Sequence, residues 1–237
     1  MRIPRKIDDR LKDAIVSLQF EPGVPANAVE GAFYTLLKDN FQEITLGQSN
    51  TIQIDQLIIQ PQKSFYVHQD GKFRVDINAN SITFNLVDTY AGWHEYFHVI
   101  RETLTPLFEN KIILSAVRIG IRYISVFEQI RIFDCINSTL SFNPFDDKSS
   151  KAQFRIELDR NPFQVIVTLL NAFPKTFEGP LSEFYSVTDI DTIKMFLPGE
   201  SNIKNVLLWL DSGHSEQKEV FFSLLQQEFI SSLNPEY

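Results

Sequence analysis

The run from Lys111 to Phe127, KIILSAVRIGIRYISVF, limits the fold more than any other segment of the chain. It is the longest uninterrupted β-forming stretch, rich in Ile, Val, Tyr and Phe. From Val117 it alternates, with Val117, Ile119, Ile121, Tyr123 and Phe127 on one side and Arg118, Gly120 and Arg122 on the other. Successive strand side chains point to opposite faces. One side of this strand therefore faces a core, and two arginines four residues apart stand on the other.

A chain of 237 residues can bury a sizeable core, as one large domain or two small ones. Phenylalanine is frequent, at 21, against 2 methionines, so sheet and helix faces should pack through aromatic rings. The formal net charge of −8 argues against broad electrostatic binding to nucleic acid or to an anionic membrane. The single Cys135 leaves no internal disulfide and no Cys-based zinc site. The N-terminus lacks the basic and apolar regions of a signal peptide, and no apolar run approaches the length of a spanning helix. The expected setting is cytoplasmic, without cofactor.

In chain order, the opening twelve residues read as an extended arm and Asp13 to Phe20 as a strand. Glu21-Pro22-Gly23-Val24-Pro25 is a breaker. Val29, Phe33, Leu36, Leu37 and Phe41 recur at helical spacing, which predicts a helix over about Ala28 to Phe41, with Asn27 as its cap. Residues 42 to 63 carry a weak strand signal. Phe65 to His68, an Asp70-Gly71 turn, and two alternating runs ending at Ile77 and Leu86 predict an antiparallel meander with a wet face. A second helix should follow from Trp93 to about Phe108, its apolar stripe being Trp93, Phe97, Ile100, Leu104 and Phe108.

After the organising strand, Phe133 to Phe142 reads as a short helix or strand and 143–150 as a loop. Phe154, Ile156 and Leu158 alternate with charged residues, and Phe163 to Leu170 is a further strand. Residues 171–183 read as loop and Tyr185 to Ile193 as strand. A last helix is expected from His214 to Leu233, with Asp211 or Ser212 capping it. The predicted fold class is α+β, mostly antiparallel sheet with helices packed on one face. Helices opened by Trp93 and Trp209 hint at two duplicated meander-plus-helix halves, 1–110 and 111–237, within a single domain.

His94-Glu95-Tyr96-Phe97-His98 matches H-E-x-x-H. On a helix this spacing sets two imidazoles one turn apart to bind zinc, with the glutamate activating a bound water. No third ligand stands at a recognisable spacing, and Trp93 and Phe97 place both histidines on the flank of a packed helix. The zinc hydrolase is thus the alternative reading. Arg118 and Arg122 share one strand face, and Asp189 and Asp191 share another. Guanidinium groups bind carboxylate or phosphate in a fork, so Arg118 and Arg122 are candidates for an anionic ligand, and a variant of this reading puts a metal at Asp189 and Asp191. Ion pairing among these groups and Glu157 or Asp159 is the simpler reading. Asp211 and His214, three residues apart, invite an acid–base reading that a helix cap explains more cheaply.

Several of these stretches occur in a telling order: Ala14 to Pro22, the Trp93-x-x-x-Phe97 helix opening, Arg118 to Ile124, Asp189-Ile190-Asp191, and Trp209-x-Asp211-x-x-His214. Together they resemble a sporadically distributed prokaryotic family of roughly this length whose function is uncharacterised. The resemblance spans nearly the whole chain. It includes the arginines, the Asp-x-Asp and the Asp211/His214 pair, and excludes His94, Glu95 and His98. It implies an accessory role, of a defence or toxin–antitoxin-like kind. The expected function is a non-enzymatic interaction module that meets a protein partner or a second copy of itself.

Overall fold

The structure is a computed structural model that describes residues 3–8, 10–45, 50–53, 56–59, 64–87, 89–138, 151–174, 183–197 and 199–237. The elements in chain order are β1 (Leu11–Pro22), α1 (Val29–Leu37), β2 (Phe41–Thr45), β3 (Asn50–Gln53), β4 (Gln56–Ile59), β5 (Ser64–His68), β6 (Phe73–Asn78), β7 (Ser81–Leu86), α2 (Trp93–Glu109), β8 (Ile113–Glu128), β9 (Ala152–Arg160), β10 (Phe163–Pro174), β11 (Phe184–Met195), α3 (Ile203–Leu224) and α4 (Gln227–Ser232). Nine strands form an antiparallel sheet in the order β2-β5-β6-β7-β1-β8-β11-β10-β9, and β3 pairs with β4 separately. The α+β class read from the sequence is the one observed. The chain divides into two compact units. One comprises Met1–Ala14, Gly120–Lys194 and Trp209–Tyr237, and the other Ile15–Ile119 and Met195–Leu208.

In the unit that contains the meander, β5, β6 and β7 pair as consecutive antiparallel neighbours. The ring of Phe33 in α1 packs 5.7 Å from Phe41 and 4.8 Å from Tyr66. The Tyr96 ring stacks on Phe73 at 5.3 Å, and its hydroxyl donates to the Phe84 carbonyl at 2.8 Å. Within the breaker, Gly23 donates to the Ile112 carbonyl at 2.9 Å. A Cβ on it would fall 1.9 Å from the Lys111 carbonyl oxygen, so only glycine fits this close approach.

In the other unit, Phe163, Val165, Val167 and Leu169 of β10, Ile190 of β11 and Phe127 of β8 form a core with Val220 of α3, Ile230 of α4 and Leu225 between those helices. Leu210, Gly213, Gln217 and Val220 are the buried stripe of α3, at three- and four-residue spacing. At Gly213 the helix lies close against the strands. A Cβ there would lie 2.9 Å from Ile121 Cδ1 and 3.3 Å from Phe163 Cε1.

Several local expectations are corrected. The first helix ends at Leu37, a short 3-10 turn (Ala26–Ala28) precedes it, and Asn27 makes no side-chain cap. Phe41 has helical spacing but begins β2, reaching Phe33 from across the turn at Lys38–Asn40. The core stripe of α2 is rotated from the expected one. Tyr96, Val99, Ile100, Thr103, Leu104 and Leu107 are buried, while Trp93, Phe97 and Phe108 are half-buried. Val117, read as inward, is 36% exposed, because the alternation of β8 holds only from Ile119. Residues 171–174 belong to β10. The last helix begins at Ile203, where the Asn202 side chain accepts from the Asn205 amide at 3.0 Å. Asp211 and Ser212 therefore lie inside α3, as does Trp209, and a separate α4 follows. Of the expected 133–142 element, Ile132–Asp134 form a 3-10 turn, while 139–142 and the expected 143–150 loop lie outside the described residues.

Candidate functional site

The Arg122 and Asp189 side chains meet on adjacent strands. Arg122 Nε donates to Asp189 Oδ1 at 2.8 Å and Nη2 to Oδ2 at 2.6 Å, a two-point fork. The guanidinium is 47% exposed and the carboxylate 18%. The Asp189 hydrogen bonds, with the charges of Asp189, Asp191 and Asp13, hold Arg122 more firmly protonated than usual, against the opposing effect of burial. Asp191 is half-buried two residues along the same side of β11. Arg118, earlier on β8, belongs to the other compact unit.

The pairing register extends this charged face across the sheet. Thr168 of β10 lies opposite Asp189 and Ile166 opposite Asp191. On β9, Arg155 lies opposite Thr168 and Glu157 opposite Ile166. Glu157 accepts hydrogen bonds from Arg155 and from Gln164 Nε2. These charges stand on extended strands, and Arg122 pairs with Asp189 and Arg155 with Glu157.

Asp211 and His214 are elsewhere. They ride on α3, which covers the opposite side of the same strands. Tyr123 follows Arg122 and points to that opposite side, where its hydroxyl lies 3.1 Å from His214 Nδ1. A neutral imidazole accepting there from the tyrosine satisfies both groups. Burial, and secondly the Lys218 charge, push the His214 pKa down to about 4, while Asp211 acts weakly in the other direction. Asp211 and His214 thus lie on the other side of the strands from Arg122, Asp189 and Asp191. The alternation of β8 and β11 divides them.

His94 and His98 are exposed on α2. Glu95 accepts from Lys72 Nζ at 3.0 Å, and His98 Nε2 lies 3.6 Å from Glu102. Among the described residues, no group of three or more His, Cys, Asp and Glu side chains is placed to hold a metal ion.

Two polar clusters escaped the sequence reading. Asp76, expected on the wet face of the meander, is only 6% exposed. It accepts from Arg74 at 2.7 Å and Asn85 at 3.0 Å, and Arg74 also lies 4.2 Å over the Phe65 ring. Its signal was the opposite charge two residues away on the same strand face. The second cluster is the core side of β11, where Ser186, Thr188, Thr192 and Lys194 are all buried. Lys194 Nζ sits 5.2 Å from the Trp209 ring centroid. The residues of YSVTDIDTIK that alternate with Asp189 and Asp191 carry that signal.

No family model matches the chain, and no curated protein matches it.

Two expectations follow. In a double-mutant cycle by chemical denaturation, Arg122→Ala and Asp189→Ala should couple by about 0.5–2 kcal/mol, shrinking as salt rises, because the fork is half-exposed. Coupling below about 0.2 kcal/mol would mean that the fork does not brace the strands. For His214, the folded-state pKa lies below the ordinary value of 6.5, so the unfolded chain binds the proton first as pH falls. The stability from neutral His214 is full above pH 6.5 and is lost progressively toward about pH 4. His214→Gln should flatten the fall in stability across that window by roughly 2–3 kcal/mol relative to wild type. Parallel curves would contradict the burial of a neutral imidazole.

Proposed function

We propose that this protein is a non-enzymatic interaction module that binds another protein through the charged face of β8, β11, β10 and β9. The observation that carries the reading is the row of charges on that face, with Arg122 paired to Asp189 and Arg155 to Glu157. A catalytic site needs groups converging on a reacting atom from several directions. Here Arg122, Asp189, Asp191, Arg155, Glu157 and Asp159 stand side by side on neighbouring strands. With Asp13, five carboxylates meet two guanidinium groups, so the favoured partner surface is basic. Complementary charge of this kind steers association and sets register. The family resemblance points the same way, toward an accessory role of a defence or toxin–antitoxin-like kind.

The two alternatives compete with contacts already made. A zinc hydrolase using His94, Glu95 and His98 requires Glu95 to leave Lys72 and a further ligand to arrive. An anion at Arg122 requires displacement of Asp189 from both ends of its fork.

Affinity capture of the tagged protein from its native host is the test. A protein recovered with wild type should be lost with Asp191→Lys/Glu157→Lys and retained with Glu95→Gln, a change remote from the face. A wild-type chain that recovers nothing and sediments as a monomer at every concentration would overturn the reading.

A further inference from the structure

The strand order ends at β9, and among the described residues the ladder partner of this strand is β10. Its other side presents a row of backbone amide and carbonyl groups, which templates the addition of another strand. β9 is nine residues long, AQFRIELDR. Phe154, Ile156 and Leu158 are partly buried against the core beneath α3, which anchors the strand. At its end, Arg160 donates to Glu216 at 2.7 Å and to Glu219 at 3.1 Å, tying it to the helix. The edge is nine residues long and held in place.

We infer that β9 pairs antiparallel with β9 of a second copy of this chain, in the register centred on Ile156, which makes that copy a partner of the interaction module proposed above. The inference rests on that reading, and the strand's own sequence selects the occupant. In this register Ile156 faces Ile156, and Arg155 faces Glu157 twice. Phe154 faces Leu158 twice, Gln153 faces Asp159, and Ala152 faces Arg160. All nine residues are engaged. Unlike charges fall directly opposite, at about 5 Å between Cβ atoms. Apolar residues meet apolar residues on the helix-covered side. Centring the pair on Arg155 sets two arginines opposite each other, and centring it on Glu157 sets two glutamates opposite. Like charges directly opposite are destabilising. Of the registers centred on Arg155, Ile156 and Glu157, only the one on Ile156 avoids a like-charge pair at its centre.

The local charge permits the approach. The chain carries −8, but Arg155, Glu157, Asp159 and Arg160 cancel within β9. Within one strand Arg155 and Glu157 already pair while 48% exposed each. Dimerisation exchanges the two solvent-facing pairs, one in each chain, for two cross-strand pairs, so no charge loses its partner.

Sedimentation velocity over a range of concentrations tests the inference, with circular dichroism to confirm that each variant is folded. Wild type should dimerise in a concentration-dependent way. Arg155→Glu and Glu157→Arg should each weaken the dimer at least about tenfold, since each sets two like-charge contacts across the junction. The double variant Arg155→Glu/Glu157→Arg should recover it. The two single variants, mixed, should pair with each other, because every 155–157 contact is then Glu against Arg. A wild-type monomer at all concentrations, a dimer that ignores these changes, or single variants that stay apart when mixed would each overturn the β9 junction. A monomer that still captures a partner through Asp191 and Glu157 would leave the module reading standing, and a monomer that captures nothing would remove both.

Discussion

Burial of alternate strand residues beneath α3 is the interaction on which the β8–β11–β10–β9 region depends. Val165, Val167, Leu169, Ile190 and Phe127 each contribute roughly 1.5–3 kcal/mol by leaving water. A half-exposed ion pair contributes about 0–1 kcal/mol. The apolar contacts therefore decide which side of each strand faces the helix, and the charges follow. Because the side-chain period of a strand is two, a one-residue slip would exchange the two faces. It would drive Arg122, Asp189 and Glu157 into the core. The charged face is thus a consequence of the core and also a penalty against leaving its register.

The same constraint explains the polar groups that do lie under α3. Lys194 is placed against the Trp209 ring and His214 against Tyr123, so each has a compensating contact. Held neutral, His214 avoids the cost of a desolvated charge. Gly213 sits one residue earlier on the helix and lets its backbone come close enough for this contact. These features account for the burial of His214.

The fold class was legible because period-two alternation is strong where one strand face is buried and the other wet. It shows in Phe73 to Leu86 and in Phe154 to Asp159. The organising strand was legible for the same reason, and so was an arginine–carboxylate brace on it. Helix ends were less legible. Phe41 satisfies the helical spacing of α1 yet contributes its ring from a strand. The start of α3 was missed because the apolar run Val206–Leu210 reads equally as strand, and its cap, Asn202, follows an inconspicuous loop. Asp211 and His214 were grouped with the arginines because sequence order does not reveal which side of a sheet a helix covers. The H-E-x-x-H match shows the converse. Spacing alone put two histidines on one helix face, but Tyr96 takes the core position between them and turns both outward.

The central claim is that the sheet separates the candidate residues into two independent places, a charged face carrying Arg122 and Asp189 and a helix-covered side carrying His214. The energetic coupling between Arg122→Ala and His214→Ala, measured by chemical denaturation at neutral pH, tests it most directly. Groups without shared partners on opposite faces should be additive to within about 0.5 kcal/mol. A coupling well above 1 kcal/mol would mean that the two belong to one site, and would contradict the account.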